Sequence, residues 1–328
     1  MKKLLATLLI LSLTFLTLVS CGEPESPGEE TKIRVGYMAG PTGMGMAKLI
    51  HDNGGLNGND KYSFTKYENT KLATADLLVG NIDVICLPTN EAANYRNTTD
   101  DNAVVLAINT LNTLFLLSDE NTTITSFADL EGKTVYTCKN GTPKVVLEYL
   151  LSATGVNATV ATSYDGKEIL TPAELGAQIV AGNVSIAVAP EPIVTSSNLQ
   201  RKQAQKTEYS VDVNLDTVWE SKCETPLTMG CIVSTNKFVT KYKKSVDAFL
   251  SEYEASIAYI SNSENLDSAA DYVVESGVMA ALPAAKSALK NLGSSIDYID
   301  GKEMKSALVA FYKIIKMTAP KDAFYYEK

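Results

Sequence analysis

The strongest restriction on the fold is a short pattern that occurs twice, about a hundred residues apart. In each copy Gly-Asn follows an apolar segment and precedes a hydrophobic run that ends in proline, at residues 80–88 and 182–190. Glycine adopts the left-handed conformation that ends a helix, and the hydrophobic run predicts a buried parallel strand. Proline ends the strand because it has no N–H to donate to a neighbouring strand. The pattern therefore predicts two equivalent strands, each preceded by a helix.

A second matched pair of segments precedes the first. Residues 33–38 and 134–137 are predicted strands, and each is followed by a turn rich in glycine, threonine and proline and then by a predicted helix. Thr42 and Thr142 occupy the same place in the two turns, one hundred residues apart. Two matched pairs in the same order predict an α/β protein of two lobes, each a mainly parallel sheet flanked by helices.

Two segments are predicted to carry the chain between the lobes. The apolar run 103–117 contains Asn109 and Thr110, and we interpret it as two strand pieces with a crossing near residues 109–112. Residues 228–234 are the second predicted crossing. We therefore expect lobe 1 at residues 32–110 and 230–328 and lobe 2 at residues 111–229. Helices that wrap lobe 1 are predicted near 243–260, 267–276, 283–291 and 303–317.

The first 20 residues have the composition of a secretory signal peptide. Lys2 and Lys3 precede an uncharged run at residues 4–19, which would form a helix about 24 Å long, short of a hydrocarbon core of roughly 30 Å. The small residue before Cys21 resembles the bacterial lipoprotein signal, which implies cleavage there, lipidation of Cys21 and an anchor on the outer side of the membrane. Residues 21–31 would be the lipidated tether. An ordinary secretory peptide with an incidental cysteine is the alternative.

Charge and cysteine usage exclude some functions. The net charge of −9 argues against nucleic-acid binding, because basic patches supply most of that affinity. Cysteines and the single histidine, His51, show no metal-ligand spacing, so we predict no metal and no cofactor. Cys223 and Cys231 are close enough in sequence to form a disulfide in an exported protein, and the sequence leaves that pairing open.

Several segments, at 33–37, 41–45, 80–84, 127–135 and 189–192, resemble those of a known family. They are similar to the solute-binding proteins of ABC importers of the second topological type, and within these to the nitrate, sulfonate, taurine and thiamine-precursor branch. The resemblance covers roughly residues 32–328. It implies a non-enzymatic protein, which we expect to be a monomer, that captures a small solute outside the cell and delivers it to a membrane permease.

Ligands of open α/β sheets bind beyond the carboxyl ends of the strands, and two facing lobes place those ends on the two walls of one cleft. This argument selects four loops and the two crossings as the candidate site. The candidate ligand-binding residues are Thr42, Gly43, Met44, Thr89, Asn90, Asn109, Thr110, Lys139, Asn140, Gly141, Thr142, Glu191 and Met229.

The candidate residues suggest two kinds of ligand. The turns at Thr42 and Thr142 open helices, whose free N–H groups and dipole favour an anion, and Lys139 would add positive charge. Glu191 between two prolines could instead accept hydrogen bonds from an amine, amidine or ring N–H. The structural alternatives also stay open: helix caps at the threonines, core packing for methionine and a turn role for Glu191.

Three functions fit these observations. A transport receptor is the first, and a ligand sensor for a membrane kinase is the second. The third is an enzyme on the same fold, such as a lyase or a precursor synthase, but the sequence shows no histidine-based dyad, metal set or nucleophile elbow. The ligand would be a small polar organic solute, either an anion such as a sulfonate or a vitamin-precursor heterocycle.

Overall fold

The computed structural model describes residues 29–99 and 102–327. The predicted signal peptide, the lipidation site Cys21 and the tether up to residue 28 lie outside the described residues. Across the part that is described, no helix is both long enough and apolar enough to cross a membrane.

The described residues contain two five-stranded sheets and a two-stranded hairpin. The strands are β1 (Ile33–Met38), β2 (Tyr62–Tyr67), β3 (Val84–Pro88), β4 (Ala103–Leu111), β5 (Leu114–Ser118), β6 (Thr134–Tyr136), β7 (Thr159–Ala161), β8 (Ser163–Tyr164), β9 (Lys167–Glu168), β10 (Ile186–Pro190), β11 (Ser210–Asn214) and β12 (Thr228–Thr235). Strand order is β2-β1-β3-β12-β4 in the first sheet and β11-β5-β10-β6-β7 in the second. We call the first sheet with its helices lobe 1, and the second sheet with its helices lobe 2.

Helices cover both sheets. They are α1 (Pro41–Met44), α2 (Ala47–Asp52), α3 (Thr70–Val79), α4 (Thr89–Thr98), α5 (Thr142–Thr154), α6 (Pro172–Ala181), α7 (Ile193–Gln203), α8 (Leu215–Glu220), α9 (Asn236–Lys241), α10 (Lys243–Ser261), α11 (Leu266–Glu275), α12 (Leu282–Leu292) and α13 (Gly301–Ile314). Short 3-10 turns connect some of them. The mixed α/β fold with two sheets flanked by helices confirms the predicted fold class.

The repeated pattern forms equivalent strands in different sheets. β3 and β10 each pair in parallel with a neighbour, β1 for β3 and β6 for β10. Gly80 and Gly182 end the preceding helices with φ values of 76° and 83°, the left-handed conformation that glycine adopts without strain. One strand of each sheet runs against the others, β12 in the first and β5 in the second, so each sheet is mainly rather than wholly parallel.

The second crossing differs from the prediction. Residues 228–234 do not pass between lobes: they belong to β12, which lies antiparallel between β3 and β4 in the first sheet. Their apolar character reflects burial within that sheet. The chain passes between the sheets before Thr228 and, at the first crossing, between Leu111 and Leu114. The Asn112 N–H donates to the Leu227 carbonyl at 3.1 Å, so the two connections lie side by side.

An apolar cluster continues from one lobe into the other. Trp219 on α8 is fully buried, with its ring centroid 5.3 Å from that of Tyr149 on α5 and 5.9 Å from that of Phe311 on α13. The same cluster contains Ile85 of the first sheet and Val188 of the second. The C-terminal helix therefore packs on both lobes, and not on lobe 1 alone.

The cysteines that the structure describes are all free: Cys86, Cys138 and Cys231 are buried and Cys223 is partly buried. The pairing of Cys223 with Cys231, which the sequence left open, is therefore not formed. The Cys223 thiol instead lies 3.3 Å from the Tyr149 hydroxyl.

Candidate solute-binding cleft

Side chains of both lobes meet where the strands end. The Thr142 hydroxyl, at the start of α5 in lobe 2, donates to Oδ1 of Asn90 on α4 in lobe 1 at 3.0 Å. Glu191, directly after β10 in lobe 2, accepts from Nδ2 of Asn291 on α12 at 2.8 Å. We call these four residues the interlobe seam. Three of them, Asn90, Thr142 and Glu191, are among the candidates that the sequence selected.

Glu191 is the acidic residue of the four in the seam, and 1% of its surface is exposed. Its Oε2 accepts the backbone N–H of Thr195 at 3.1 Å, and its Oε1 accepts the Thr195 hydroxyl at 2.8 Å. The Glu191 N–H donates to the carbonyl of Thr113 at 2.9 Å, beside the first crossing. Burial raises the pKa of Glu191, and the hydrogen bonds from Asn291 and Thr195 oppose that rise only in part. The donors are all neutral groups.

The end of β3 supplies further polar groups. Thr89 is fully buried, and its hydroxyl has no hydrogen-bond partner among the described residues. Its carbonyl accepts the hydroxyl of Tyr312 at 2.9 Å. Burial also raises the pKa of Glu91, which follows Asn90 in the first turn of α4. A second carboxylate with a weakened preference for its charged form therefore adjoins the seam.

The polar residues of the first crossing bond mainly to one another. The Thr110 hydroxyl donates to Oδ1 of Asn109 at 3.0 Å, and Nδ2 of Asn109 lies 2.9 Å from the Tyr253 hydroxyl on α10. Thr42 and Gly230 adjoin this pair, since a Cβ placed on Gly230 would lie 2.2 Å from Thr42 Cγ2 and 2.7 Å from Asn109 Oδ1. The structure thus brings Thr42, Asn109 and Thr110 together, with the amide of Asn109 bonded within lobe 1.

Two amides of the turn at Thr42 are already bonded within the turn. α1 is only four residues long, and the N–H groups of Gly43 and Met44 both donate to the Gly40 carbonyl at 3.0 Å. A Cβ on Gly43 would lie 2.0 Å from the Met38 carbonyl oxygen. Glycine at this position therefore allows the two backbone segments to approach each other closely. Met44 is fully buried in the core of lobe 1, where it packs as an apolar side chain.

The remaining candidates also have local roles. Lys139 is exposed and forms an ion pair with Glu168 of β9, so its charge is already compensated. Asn140 is exposed, and Gly141 precedes α5 with a φ of 88°. Met229 is buried in the apolar cluster that joins the lobes. Lys139 and Met229 therefore have partners of their own, whereas the start of α5 has no side-chain cap.

Sequence inspection missed two residues of the seam region. Thr195 lies one helical turn after Glu191, and that spacing could have indicated the bond, because a carboxylate before a helix commonly accepts from its first turn. Asn291 sits in the last turn of α12 among alanine and leucine residues. Its partner is one hundred residues earlier in the chain, and no local pattern connects them.

Comparison with known proteins is consistent with this architecture. The periplasmic-type two-lobed fold is shared with an ABC transporter protein from Parabacteroides distasonis, which is 20% identical with a TM-score of 0.70 over 91% of this chain and 99% of that one. It is also shared with the alkanesulfonate-binding protein SsuA from Xanthomonas axonopodis pv. citri, bound to MOPS. That protein is 15% identical, with a TM-score of 0.64 over 90% of this chain and 97% of that one. The third protein that shares the fold is the periplasmic nitrate-binding protein NrtA from Synechocystis PCC 6803. It is 15% identical, with a TM-score of 0.61 over 85% of this chain and 76% of that one.

These likenesses define the class of the fold, that of periplasmic binding proteins. A family profile described as NMT1/THI5 like matches residues 101–265, half of the chain. The protein therefore belongs to the NMT1/THI5-like family, which agrees with the resemblance noted in the sequence. A search of curated proteins found no match.

Proposed function

We propose that this protein is the solute-binding component of an ABC importer, anchored outside the cytoplasmic membrane through a lipid on Cys21. The family, the two-lobed fold and the meeting of polar side chains between the lobes support this role. Solutes of such folds are enclosed between lobes that can move about their connections, and here the two connections lie side by side. Its partners would be the solute and a membrane permease, and we propose that it acts as a monomer without catalysis or a cofactor.

The solute that we propose is a small polar organic molecule with N–H donors, neutral or cationic, such as an amino-substituted heterocycle. The observation that carries this is the Glu191 carboxylate, 1% exposed and bonded among the described residues only by the neutral donors Thr195 and Asn291. A carboxylate can accept roughly four hydrogen bonds, and three are used. Glu191 therefore has capacity for a solute donor, and in its ionised form it favours positive charge.

An anion fits the same place poorly. At the start of α1, the first of the two helix starts expected to hold it, the amides of Gly43 and Met44 are occupied, and Lys139 before the start of α5 is paired with Glu168. A sulfonate or nitrate about 6 Å from a carboxylate would be repelled by roughly 3 kcal/mol at an effective dielectric constant of about 20. This charge distribution separates the proposed solute from the ligands named for SsuA and NrtA.

A thermal-shift experiment on the chain without its signal peptide tests both parts of the proposal. Benzamidine and cytosine would represent N–H donors, and methanesulfonate, taurine and nitrate would represent anions or sulfonates. A ligand at about 100 times its dissociation constant stabilises a protein by roughly 2.7 kcal/mol, which raises the melting temperature by several degrees. We expect such shifts with N–H donors only.

Glu191→Gln provides the matched control, because it keeps the shape and removes the negative charge. The variant should lose most of the response to the cationic probe and retain more of the response to the neutral one. Shifts caused by sulfonates or nitrate, unchanged in the variant, would contradict the proposed solute class and leave the transport role intact. Uptake of the identified solute by cells that lack this protein, but retain the permease, then distinguishes transport from sensing.

A further inference from the structure

The dipeptide Asn-Gly occurs three times in the chain, at residues 53–54, 57–58 and 140–141. In such a pair the backbone nitrogen of glycine can attack the side-chain amide of asparagine, because glycine has no Cβ to obstruct the approach. The attack needs an asparagine side chain that can rotate and a glycine N–H that is not hydrogen-bonded. Local structure therefore decides which of the three pairs reacts.

Two of the pairs are restrained by local contacts. Asn53 is 7% exposed, its Nδ2 donates to the Leu49 carbonyl at 2.9 Å, and its Oδ1 accepts from Nδ2 of Asn59 at 2.9 Å. In the second pair the asparagine is exposed, but the Gly58 N–H donates to the Gly55 carbonyl at 3.1 Å. The side chain is therefore fixed in the first pair, and the attacking nitrogen is fixed in the second.

The third pair has neither restraint. Asn140 is exposed, and its side chain has no hydrogen-bond partner among the described residues. Within the same part of the chain, the Gly141 N–H has no acceptor. A Cβ built on Gly141 would meet only Cδ of Pro143, at 3.6 Å, so the space around it is open. The Asn140 carbonyl accepts the Cys138 thiol at 3.2 Å, which draws electron density from the peptide and makes the Gly141 proton easier to lose.

We propose that Asn140 is a self-modification site, at which the chain converts a neutral amide into a carboxylate beside the cleft. The Gly141 nitrogen loses its proton to hydroxide and forms a bond to Cγ of Asn140, the Cγ–Nδ2 bond breaks, and ammonia leaves with a proton taken from water. Water then opens the cyclic imide at either carbonyl, which gives aspartate or its isomer with the backbone routed through the side chain. In sum, an amide and a water become a carboxylate and an ammonium ion.

The product changes the charge of one cleft wall. Asn140 lies two residues before Thr142, whose hydroxyl donates to Asn90 of lobe 1 at 3.0 Å. The start of α5 has no side-chain cap, so the helix dipole would favour a carboxylate placed just before it. The same carboxylate would repel an anionic solute and attract a cationic one. This consequence rests on the proposed solute-binding role, whereas the modification itself does not.

Incubation of the folded chain in heavy-oxygen water at mildly alkaline pH, without any solute, tests the proposal. Peptide mapping by mass spectrometry would follow conversion at each Asn-Gly pair. A single hydrogen bond shifts an equilibrium roughly five-fold, and a pair of them roughly thirty-fold. We therefore expect Asn140 to convert about five times faster than Asn57 and about thirty times faster than Asn53. The product should contain heavy oxygen, and its rate of formation should rise with hydroxide concentration.

The same incubation in concentrated urea is the matched control, because unfolding removes the local restraints. The three rates should then become similar. Asn140→Gln should show no conversion at this position over the same interval, because its longer side chain forms the corresponding ring far more slowly. Unchanged circular dichroism would show that the native sample stays folded.

Conversion of Asn140 no faster than that of Asn53 and Asn57 in the folded protein would overturn the proposal. So would an equal preference for Asn140 in urea, because the selectivity would then belong to the neighbouring sequence and not to the structure. Since no solute is present in the experiment, neither result would affect the proposed solute-binding role.

Discussion

Replacing Gly230 with alanine should destabilise lobe 1 through one crowded contact. The added Cβ would lie 2.2 Å from Cγ2 of Thr42 and 2.7 Å from Oδ1 of Asn109. Both separations are far below normal contact distances, so the neighbours must move. Asn109 is fully buried and held by bonds to Thr110 and Tyr253, which prevents it from rotating away without losing them.

The expected loss of stability follows from these contacts. An extra methyl group in a well-packed core typically costs about 1–3 kcal/mol, and displacement of Asn109 adds part of a hydrogen bond worth about 1 kcal/mol. We therefore expect Gly230→Ala to lower the free energy of unfolding by about 2–3 kcal/mol. Urea denaturation followed by circular dichroism would show a lower midpoint with an unchanged slope.

A second substitution identifies the cause. Thr42→Ser removes Cγ2, the nearest atom, while keeping the hydroxyl, so the double variant should recover about 1 kcal/mol relative to Gly230→Ala alone. Thr42→Ser by itself is the control, and it should change the free energy of unfolding by less than this recovery. If Gly230→Ala loses under 0.5 kcal/mol, or if the double variant recovers nothing, steric crowding is not the reason for glycine at this position.

Three further outcomes are expected. Burial raises the pKa of Asp216 to about 6 from 3.8, so the stability gained from its protonated form is complete below about pH 3.8 and is lost as the pH rises through about 6. Asp216→Asn should therefore stabilise the protein at pH 8 by about 1–2 kcal/mol, after discounting for its partly exposed position. A variant that gains no more stability over the wild type at pH 8 than at pH 4 would contradict this. Thr89→Val removes a buried hydroxyl without a partner and should leave thermal stability unchanged or raise it by up to about 1 kcal/mol, whereas a clear loss would show that the hydroxyl is bonded in solution. Lys139→Ala should leave solute affinity in calorimetry within about two-fold, because the side chain is exposed and paired with Glu168, and a large loss would restore the anion site that the sequence suggested.

Local patterns predicted much of the fold. β1 has the predicted bounds, and the helices α10 to α13 begin and end within a few residues of the predicted positions. Hydrophobic periodicity, glycine at helix ends and proline at strand ends are all short-range signals, which is why they could be recognised from the sequence. The predicted crossing at residues 228–234 is wrong because a fully buried strand and an apolar crossing have the same composition.

The candidate site was predicted less completely. The strand-end rule selected Asn90, Thr142 and Glu191, which the structure places at contacts between the lobes, and their binding of a solute stays a prediction. The rule could not show that the amides of Gly43 and Met44 bond back to Gly40, because this depends on α1 being a single tight turn.

The sequence alone therefore determined the two-lobed plan and the strand ends that face each other, since both follow from patterns within short segments. Only the tertiary structure decided which groups remain available to a solute. Asn291 meets Glu191 because α12 is packed into lobe 1 at one particular position and angle. Such a contact joins residues one hundred positions apart, and its existence depends on the packing of the whole molecule and not on any local preference of the chain.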